Sequence, residues 1–489
     1  MEKHTGIGLG GVVAVVASAL CLSGEVFGAD IRVVPRVGIE EIYTDNVRLA
    51  GVREESDFVT NLSASLNVQG SGVRGTMALD YSFDYLYFAD QSLDQFRNNL
   101  TGTTKLELVD DFLFMDAQAS VSEQFIDRGG PISGNIGNIT GNRRTVQAYN
   151  LSPSIRRRIG DFADFEARYG FRYFDADSRQ DDLANNIVLS DATAQTARAS
   201  LSSGRQFNRV KWQLLFEHDD TNRIGSNGSF ESTVGKADVE IKINRSIAVL
   251  GSAGYERFRD QLSGFEPEGA IWDFGGRLTP GPRSRVSVRY GRRFDEMVWS
   301  VDGAYQMSSR TSVRFTYVED LDTSQRGLGR RLGGIAVDDL GQFIDPLTGL
   351  PFDPADPAFN LNDTAFRTKR FVMALAGSRK RNNFSLRTFY ELRERATGAE
   401  DEEARGISVN FTRLMNRRTT ANLNFVFRRI EFGSLDRKDN FFGGAATVSY
   451  QLGERVAGRI TYNLARRDSN RATSDFDENS VALSLVATF

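Results

Sequence analysis

The chain ends with a stretch in which apolar and polar residues alternate: Asn479-Ser480-Val481-Ala482-Leu483-Ser484-Leu485-Val486-Ala487-Thr488-Phe489. Every second position from Val481 to Phe489 is apolar, and the positions between are mostly small or polar. Side chains of a β-strand alternate between its two faces, so this spacing predicts a strand with one apolar face. Such a strand is typical of a membrane-spanning β-barrel, where only the lipid-facing side has to be apolar.

The aromatic carboxyl terminus is a second indication of a barrel. A strand of this pattern that ends on Phe489 resembles the closing strand of bacterial outer-membrane β-barrels. In those proteins the segment is read by the insertion machinery of the outer membrane. The resemblance therefore implies Phe489 as an insertion signal and that machinery as a partner. The expected fold class is all-β, a transmembrane, antiparallel, up-and-down β-barrel.

The amino-terminal residues have the pattern of a secretion signal. Lys3 precedes the apolar run Ile7–Leu20, and Val26-Phe27-Gly28 places small residues near a cleavage position. We predict a cleaved signal peptide over residues 1–29 and a barrel over residues 30–489. The apolar run is shorter than the roughly 20 residues of a membrane helix. Cys21 is a weak candidate for a lipid anchor, because Leu20 stands where a small residue is expected.

The composition argues against several classes of function. The chain has one Cys and two His, and its formal net charge is -4. The Cys lies in the predicted signal peptide, so we expect no disulfide, Cys-based metal site or thiol nucleophile in the mature chain. The net charge gives no basic footprint for nucleic acid. We expect no cofactor.

Turn-forming residues divide the chain into about 22 strands that begin near Ile31, an even number as in bacterial barrels. Short turns such as Gly281-Pro282-Arg283 alternate with longer polar segments such as Asp127–Asn142 and Thr323–Phe366. Short periplasmic turns and long extracellular loops are the pattern of these barrels. Because Phe489 has to end in the periplasm, the longer segments are expected outside the cell.

Charged residues recur on the strand faces opposite the apolar ones. Charges are costly at the lipid midplane, so these faces are predicted to line a wet lumen. The candidate lumen-lining residues are Arg168, Arg172, Lys236, Asp238, Glu240, Lys242, Arg285, Arg289, Arg293, Arg387, Glu391, Arg393 and Arg459. Two interpretations are open: a selectivity surface whose guanidinium groups bind anionic or hydroxylated solutes, and a network of Arg and acidic residues that braces a wide wall.

The longest connection, Thr323–Phe366, is the candidate for a constriction or lid. A barrel of this width leaves an aqueous channel, and strands begin almost at the mature amino terminus, so we expect no separate plug domain. The candidate constriction residues are Arg326, Arg330 and Arg331. The alternatives are a solvated outer loop and a Ca²⁺ site among the Asp residues of the loop.

Catalysis has one candidate centre, Glu217-His218-Asp219-Asp220, where an Asp–His pair could activate water. His218 continues the apolar face of Trp212, Leu214 and Phe216, which favours an interfacial position beside the membrane. We therefore predict that the protein is not an enzyme. A barrel that sheathes a multihaem cytochrome is another alternative, although the chain has no Cys-x-x-Cys-His motif for haem of its own.

The first predicted strand contains Glu41-Ile42-Tyr43-Thr44-Asp45-Asn46. This segment resembles the opening of outer-membrane barrels associated with exosortase (PEP-CTERM) and exopolysaccharide loci, a family grouped with β-barrel porins. Beyond Glu41, Tyr43, Thr44, Asp45 and Asn46, the likeness is one of architecture. The family has no established catalytic residues.

This resemblance implies a porin-like conduit in the Gram-negative outer membrane that serves exopolysaccharide export. Its implied partners are outer-membrane lipid, lipopolysaccharide and polysaccharide-export components. A structural scaffold or sheath for a periplasmic partner is the alternative, and a hydrolase at the barrel rim is a third.

Overall fold

Strands make up most of the chain in the computed structural model. It describes residues 30–91, 93–176, 190–224, 228–323, 326–327, 336–337, 343–345, 350–351, 365–395, 401–433 and 436–489; the predicted signal peptide lies outside them. The strands are β1 (Asp30–Thr44), β2 (Asp57–Gly72), β3 (Gly75–Phe88), β4 (Asp94–Val109), β5 (Leu113–Phe125), β6 (Arg143–Ile159), β7 (Ala163–Ala176), β8 (Asp191–Ser203), β9 (Val210–Ile224), β10 (Ser229–Lys242), β11 (Ile247–Asp260), β12 (Glu268–Gly281), β13 (Ser284–Arg293), β14 (Glu296–Ser308), β15 (Thr311–Asp322), β16 (Ala336–Val337), β17 (Phe343–Asp345), β18 (Leu350–Pro351), β19 (Phe366–Arg379), β20 (Asn382–Arg395), β21 (Glu402–Leu414), β22 (Thr419–Phe432), β23 (Arg437–Gln451), β24 (Val456–Ser469) and β25 (Phe476–Thr488).

One sheet of 22 antiparallel strands closes into a barrel, which confirms the predicted fold class and strand number. Each strand pairs with its neighbours in the chain, and the first strand, β1, pairs with both β2 and the last strand, β25. The short strands β16–β18 form a separate small sheet within the connection between β15 and β19. No helix among the described residues is long and apolar enough to cross a membrane.

The pairing of β1 with β25 shows how the two faces of the wall differ. Ile39 lies opposite Leu485 and Tyr43 opposite Val481, and all four side chains are exposed. The residues that alternate with them, such as Glu40 opposite Ser484, lie on the inner face. The period-2 pattern of the sequence therefore gives an apolar outer face and a polar inner face.

The connections also differ between the two ends of the barrel. At the end that contains the carboxyl terminus, which we call the short-turn end, the strands are joined by the segments 73–74, 110–112, 160–162, 204–209, 243–246, 282–283, 309–310, 380–381, 415–418 and 452–455. The longer connections lie at the opposite, long-loop end. The predicted alternation of short turns and long loops is thus present with exceptions, since the connection 294–295 at the long-loop end has only two residues and the turn 204–209 at the short-turn end has six.

The segment on which the family resemblance rests closes the seam between β1 and β25 at the long-loop end. Asp45 accepts hydrogen bonds from the backbone N–H of Asn479 (2.7 Å) and from its side-chain amide (2.9 Å). Asn46 is fully buried. Its amide nitrogen donates to the carbonyl oxygens of Ala50 and Asp477, each at 2.8 Å, and its oxygen accepts from the N–H of Ala50 at 2.9 Å. In this fold, these residues hold the first strand to the last.

We expect Asn46→Ala to lower the free energy of unfolding by about 1–3 kcal/mol, because it leaves buried backbone groups without partners. Urea unfolding from lipid vesicles measures this, with the exposed Asn208→Ala as the matched control. Equal stability of the two variants would contradict a role of Asn46 in closing the seam.

Candidate functional site

The structure places all thirteen candidate lumen residues on the inner face of the barrel. The pairing of neighbouring strands gives this assignment. For example, Arg459 lies opposite Ser484, Glu391 opposite Ala404 and Arg289 opposite Ser300. Most of these residues form ion pairs with acidic or basic neighbours. The pairs are Arg168 with Asp116, Arg172 with Asp219, Lys236 with Asp238, Arg277 with Glu240, Arg285 with Asp302, Arg293 with Glu256, and Arg393 with Glu391. Both signs of charge therefore alternate along the inner wall.

Arg289 shows how these pairs link neighbouring strands. Its guanidinium group lies 2.7 Å from Asp273 on β12 and 3.3 Å from Asp238 on β10. Each of the three side chains is 18–28% exposed, so the cluster keeps contact with the lumen. Such pairs brace the wall and still present unused donors and acceptors to a solute. The bracing and selectivity interpretations are thus compatible for the same residues.

Beside this part of the wall lies a cavity of about 770 Å³. It extends along the strands from β8 to β15. Charged side chains of both signs line it, among them Lys211, Glu217, Lys236, Asp238, Arg289 and Arg326. This half of the lumen can hold a polar solute.

The other half of the mouth is occupied by the connection between β5 and β6, residues 126–142, which we call the inner loop. Its base is closed by a hydrogen bond from the N–H of Ile126 to the carbonyl of Asn142 (3.0 Å). The side chain of Asn142 accepts from the N–H of Asp127 and donates to its carbonyl, both at 2.8 Å. Ser133, Asn135 and Asn138 are at most 3% exposed, so the loop folds inward instead of extending into solvent.

Arg128 fastens the inner loop to the opposite wall. It lies 2.6 Å from Glu391 on β20 and 3.0 Å from Glu402 on β21, and all three side chains are at most 5% exposed. Nine strands separate β5 from β20 in one direction around the ring, and ten separate β6 from β20 in the other. The contact therefore spans the barrel.

Charge pairing keeps Arg128 ionised in this buried position. Burial alone would lower the pKa of Arg128, but the charges of Glu391 and Glu402 outweigh that effect and raise the pKa above its ordinary value. A buried ion pair is costly to break, because the partner left behind remains charged and without compensation. The contact is thus a strong anchor for the loop.

Further anchors come from β23, β24 and β25. Arg437 donates to the carbonyl of Gly129 and Arg467 to that of Gly130, both at 2.6 Å. Glu478, which has no exposed surface, accepts hydrogen bonds from Ser133 (2.5 Å), Asn135 (2.7 Å) and Asn138 (2.8 Å). These contacts fix the loop against the half of the wall that lacks the large cavity.

The sequence predicted an outer loop over Asp127–Asn142, whereas the structure folds this segment into the mouth of the barrel. One local signal distinguishes it: between Arg128 and Asn142 it carries no charge, and it contains Ile132, Ile136 and Ile139. Ile139 packs on a buried apolar cluster of the inner wall that includes Ile42, Val59 and Phe88. A loop without charge but with apolar residues is better suited to burial than to solvent.

The predicted constriction residues of the longest connection are only partly described. Arg326 lies at its base, 3.4 Å from Asp219 and 3.9 Å from Glu217. Its guanidinium group also lies over the ring of Phe230. Arg326 is thus at the edge of the large cavity, on the side away from the inner loop. Arg330 and Arg331 lie outside the described residues, so a lid role for the rest of this connection stays a prediction.

His218, the candidate catalytic residue, lies on the outer face of the wall. It is opposite Thr233 on β10 and Ala197 on β8, in the same phase as Phe216. Its Nδ1 is 2.8 Å from the hydroxyl of Thr233. Asp219 faces inward and pairs with Arg172, so the two residues do not form an Asp–His pair. Among the described residues, no group of three or more His, Cys, Asp or Glu is placed to hold a metal ion.

We expect Arg128→Met to destabilise the protein by about 3–5 kcal/mol, because Glu402 and Glu391 would remain buried without their partner. Hydrogen exchange should show loss of protection in residues 126–142. Arg48→Met is the matched control, since Arg48 pairs with Glu55 at a half-exposed site and its loss should cost less than about 1 kcal/mol. Unchanged protection in Arg128→Met would contradict the anchoring role.

Solved structures with a similar fold include siderophore receptors. The siderophore receptor PiuA from Acinetobacter baumannii is 8% identical, with a TM-score of 0.51; the match covers 93% of this chain and 82% of that one. The ferric-catecholate import receptor Fiu from E. coli is 9% identical, with a TM-score of 0.50 and coverage of 92% and 81%. At this identity the likeness shows the fold alone.

No curated protein matches the chain. Residues 396–489, the last strands of the barrel, match the model of a family described as "Putative beta-barrel porin 2".

Proposed function

We propose that this chain is a porin-like conduit in the outer membrane of a Gram-negative cell. The observation that carries the proposal is a closed barrel whose outer face is apolar and whose inner face is charged. A polar cavity lies along one half of the lumen, and the inner loop occupies the other half. Polar solutes would pass through the half that is left open. The transport is passive, and no catalytic step belongs to it.

The orientation follows from the connections. Short turns face the periplasm in bacterial barrels and long loops face the outside. The short-turn end would thus open to the periplasm, and the inner loop would narrow the outer mouth. Strands such as β2, with 16 residues, are longer than the 9–11 residues or so needed to cross a bilayer. The wall would therefore project beyond the membrane on the outer side.

For the solute, we propose exopolysaccharide on its way out of the cell, with polysaccharide-export components as partners. The support is the resemblance at Glu41–Asn46 together with an inner wall that offers donors and acceptors of both signs. Asp45 and Asn46 join the first strand to the last. They support the family likeness, but we propose no contact between them and the polysaccharide. A clean deletion of the gene should reduce surface polysaccharide; a normal amount would contradict export.

A structural scaffold for a periplasmic partner is the second candidate. The inner loop favours it, because it fills half of the outer mouth, and a barrel that is blocked there can still anchor another protein. The two candidates differ in whether the open half of the lumen is continuous. Electrical recording distinguishes them directly.

The full mature chain in a planar lipid bilayer is expected to give stable single-channel current steps. Samples are first shown to be folded by their shift in electrophoretic mobility on heating. Steps from the folded protein would support a conduit. Silence from a folded barrel would contradict an open conduit and favour the scaffold.

Replacing residues 128–141 with Gly-Ser-Gly, together with Glu402→Gln, should raise the conductance severalfold. The change removes the inner loop, keeps its closing pair of Asp127 and Asn142, and neutralises a carboxylate that would otherwise stay buried. Deletion of residues 324–365 is the comparison, because it tests the predicted lid. An unchanged conductance of the first variant would show that the inner loop does not narrow the passage.

Arg289→Gln with Arg293→Gln should shift the reversal potential in a salt gradient towards cation preference. Both changes remove positive charge from the cavity wall. Arg292→Gln is the control, because Arg292 lies between them in the chain but on the outer face, opposite Trp272. Equal reversal potentials in the double variant and the control would place the passage elsewhere.

A further inference from the structure

The short-turn end carries an uneven distribution of charge. Seven consecutive turns, from β8–β9 to β23–β24, contain ten Arg or Lys residues: two each in 204–209, 380–381 and 415–418, and one each in 243–246, 282–283, 309–310 and 452–455. Glu454 is their only acidic residue. The remaining three turns contain one basic residue, Arg74, and three acidic ones, Asp110, Asp111 and Asp161. A basic arc therefore covers one side of this rim, and we refer to these seven turns as the basic arc.

The cations of the basic arc are exposed, and the fold makes little use of them: Arg381 donates a hydrogen bond to the carbonyl of Met415 (3.2 Å) in the next turn. All ten side chains are exposed. Within the described part of the chain, none of the ten forms an ion pair with a carboxylate. On the other side of the rim, by contrast, Arg74 pairs with Asp110 and Arg158 with Asp164. Like charges without partners repel one another, so a concentration of cations on one side of the rim does not stabilise the fold.

A second cavity lies within the basic arc, between the β8–β9 and β10–β11 turns. Its volume is about 520 Å³. Arg209, Lys242, Arg245 and Arg277 line it, together with Asn208 and Asn244, and no acidic residue does. Arg277 is held by Glu240, which leaves the other three cations without an ion pair among the described residues. The cavity is therefore an electropositive recess suited to carboxylate groups.

The position of this cavity decides which anions can reach it. Lys242 lies opposite Ala248, and Ala248 opposite Arg277, on the inner face of the wall. Lipid headgroups surround the barrel from outside and do not reach that face. An occupant has to come from the aqueous side at the mouth. The basic arc also runs from β8 to β24, which is much wider than one small anion.

We propose that the basic arc is a docking surface for an acidic segment of a periplasmic polypeptide. Glutamate or aspartate side chains of the segment would enter the recess at Arg209, Lys242 and Arg245, and its flanking acids would pair with the cations of the neighbouring turns. Charge complementarity of this kind speeds association and fixes the register of a partner. Because the cations are exposed, binding should weaken strongly as salt screens them. The inference rests on the proposed orientation, which places the short-turn end in the periplasm, and it does not depend on whether the barrel conducts.

The test uses the full mature chain in nanodiscs of zwitterionic phosphatidylcholine, with fluorescein-labelled poly-L-glutamate as the probe and fluorescence anisotropy as the readout. The wild-type chain should bind the probe, and added NaCl should release it. The variant Arg205→Ser/Arg209→Ser/Arg245→Ser/Arg283→Ser should bind roughly tenfold more weakly. The control Arg74→Ser/Arg156→Ser/Arg157→Ser/Arg158→Ser removes the same number of exposed cations from the other side of the rim and should bind as the wild type does.

Three results would overturn the proposal. The first is that the wild-type chain does not bind the probe. The second is that both variants lose affinity equally, which would indicate attraction to charge in general. The third result is that a water-soluble, short-chain phosphatidylglycerol displaces the probe at concentrations at which the matching phosphatidylcholine does not; a lipid headgroup would then be the occupant of the basic arc. Single-channel currents from the same variants test the conduit separately, since loss of peptide binding with normal currents leaves the conduit intact.

Discussion

Closure of the barrel is the constraint on which the rest of the structure depends. Backbone N–H and C=O groups that face lipid have no water to pair with, so a sheet can cross a membrane only if its first and last strands pair. Here β1 meets β25 from Arg36 to Thr44. At the long-loop end of this seam, Glu478 accepts a hydrogen bond from Thr44 (3.0 Å) and also binds the inner loop. Glu478 therefore has two roles: it links the first and last strands, and it holds the inner loop inside the barrel.

The width of the barrel explains why a loop folds into it. Side chains fill the interior of a barrel of about 8 strands, whereas much larger barrels leave an aqueous space. In a ring of 22 strands, the inner wall therefore stays wet unless other parts of the chain cover it. The inner loop covers one side, and there its charged contacts are cut off from water. Arg128, Glu391 and Glu402 are stable in that setting because each is paired. On the uncovered side, Arg289 and its partners keep some contact with the lumen.

The fold could be predicted because its signals are local. Alternation with period 2 defines the strands, and turn-forming residues separate them, so each strand is visible within a short window of sequence. The inward direction of Arg289 or Glu391 follows from the same period. The inner loop could not be predicted in this way, since Arg128 contacts residues 263 and 274 positions away. Only its lack of charge and its Ile residues set it apart. The segment from Glu41 to Asn46 was informative as a family likeness, but its contacts show a role in closing the wall.

Net charge is concentrated at the two ends of the barrel more than along its lumen. We therefore expect the ends to determine which charged molecules the barrel attracts. Ion pairs join acidic and basic side chains along the inner wall; Arg289, for example, pairs with Asp238 and Asp273. The ends are not balanced in this way. By sequence, the connections at the long-loop end hold 20 acidic and 8 basic residues, and the short turns hold 4 acidic and 11 basic residues. A strand of 14 residues such as β20 extends about 46 Å, several times the screening length of about 8 Å at physiological salt. The electrostatic field at each end is therefore set by the residues of that end, and the excess of Arg and Lys makes the short-turn end electropositive independently of the long-loop end.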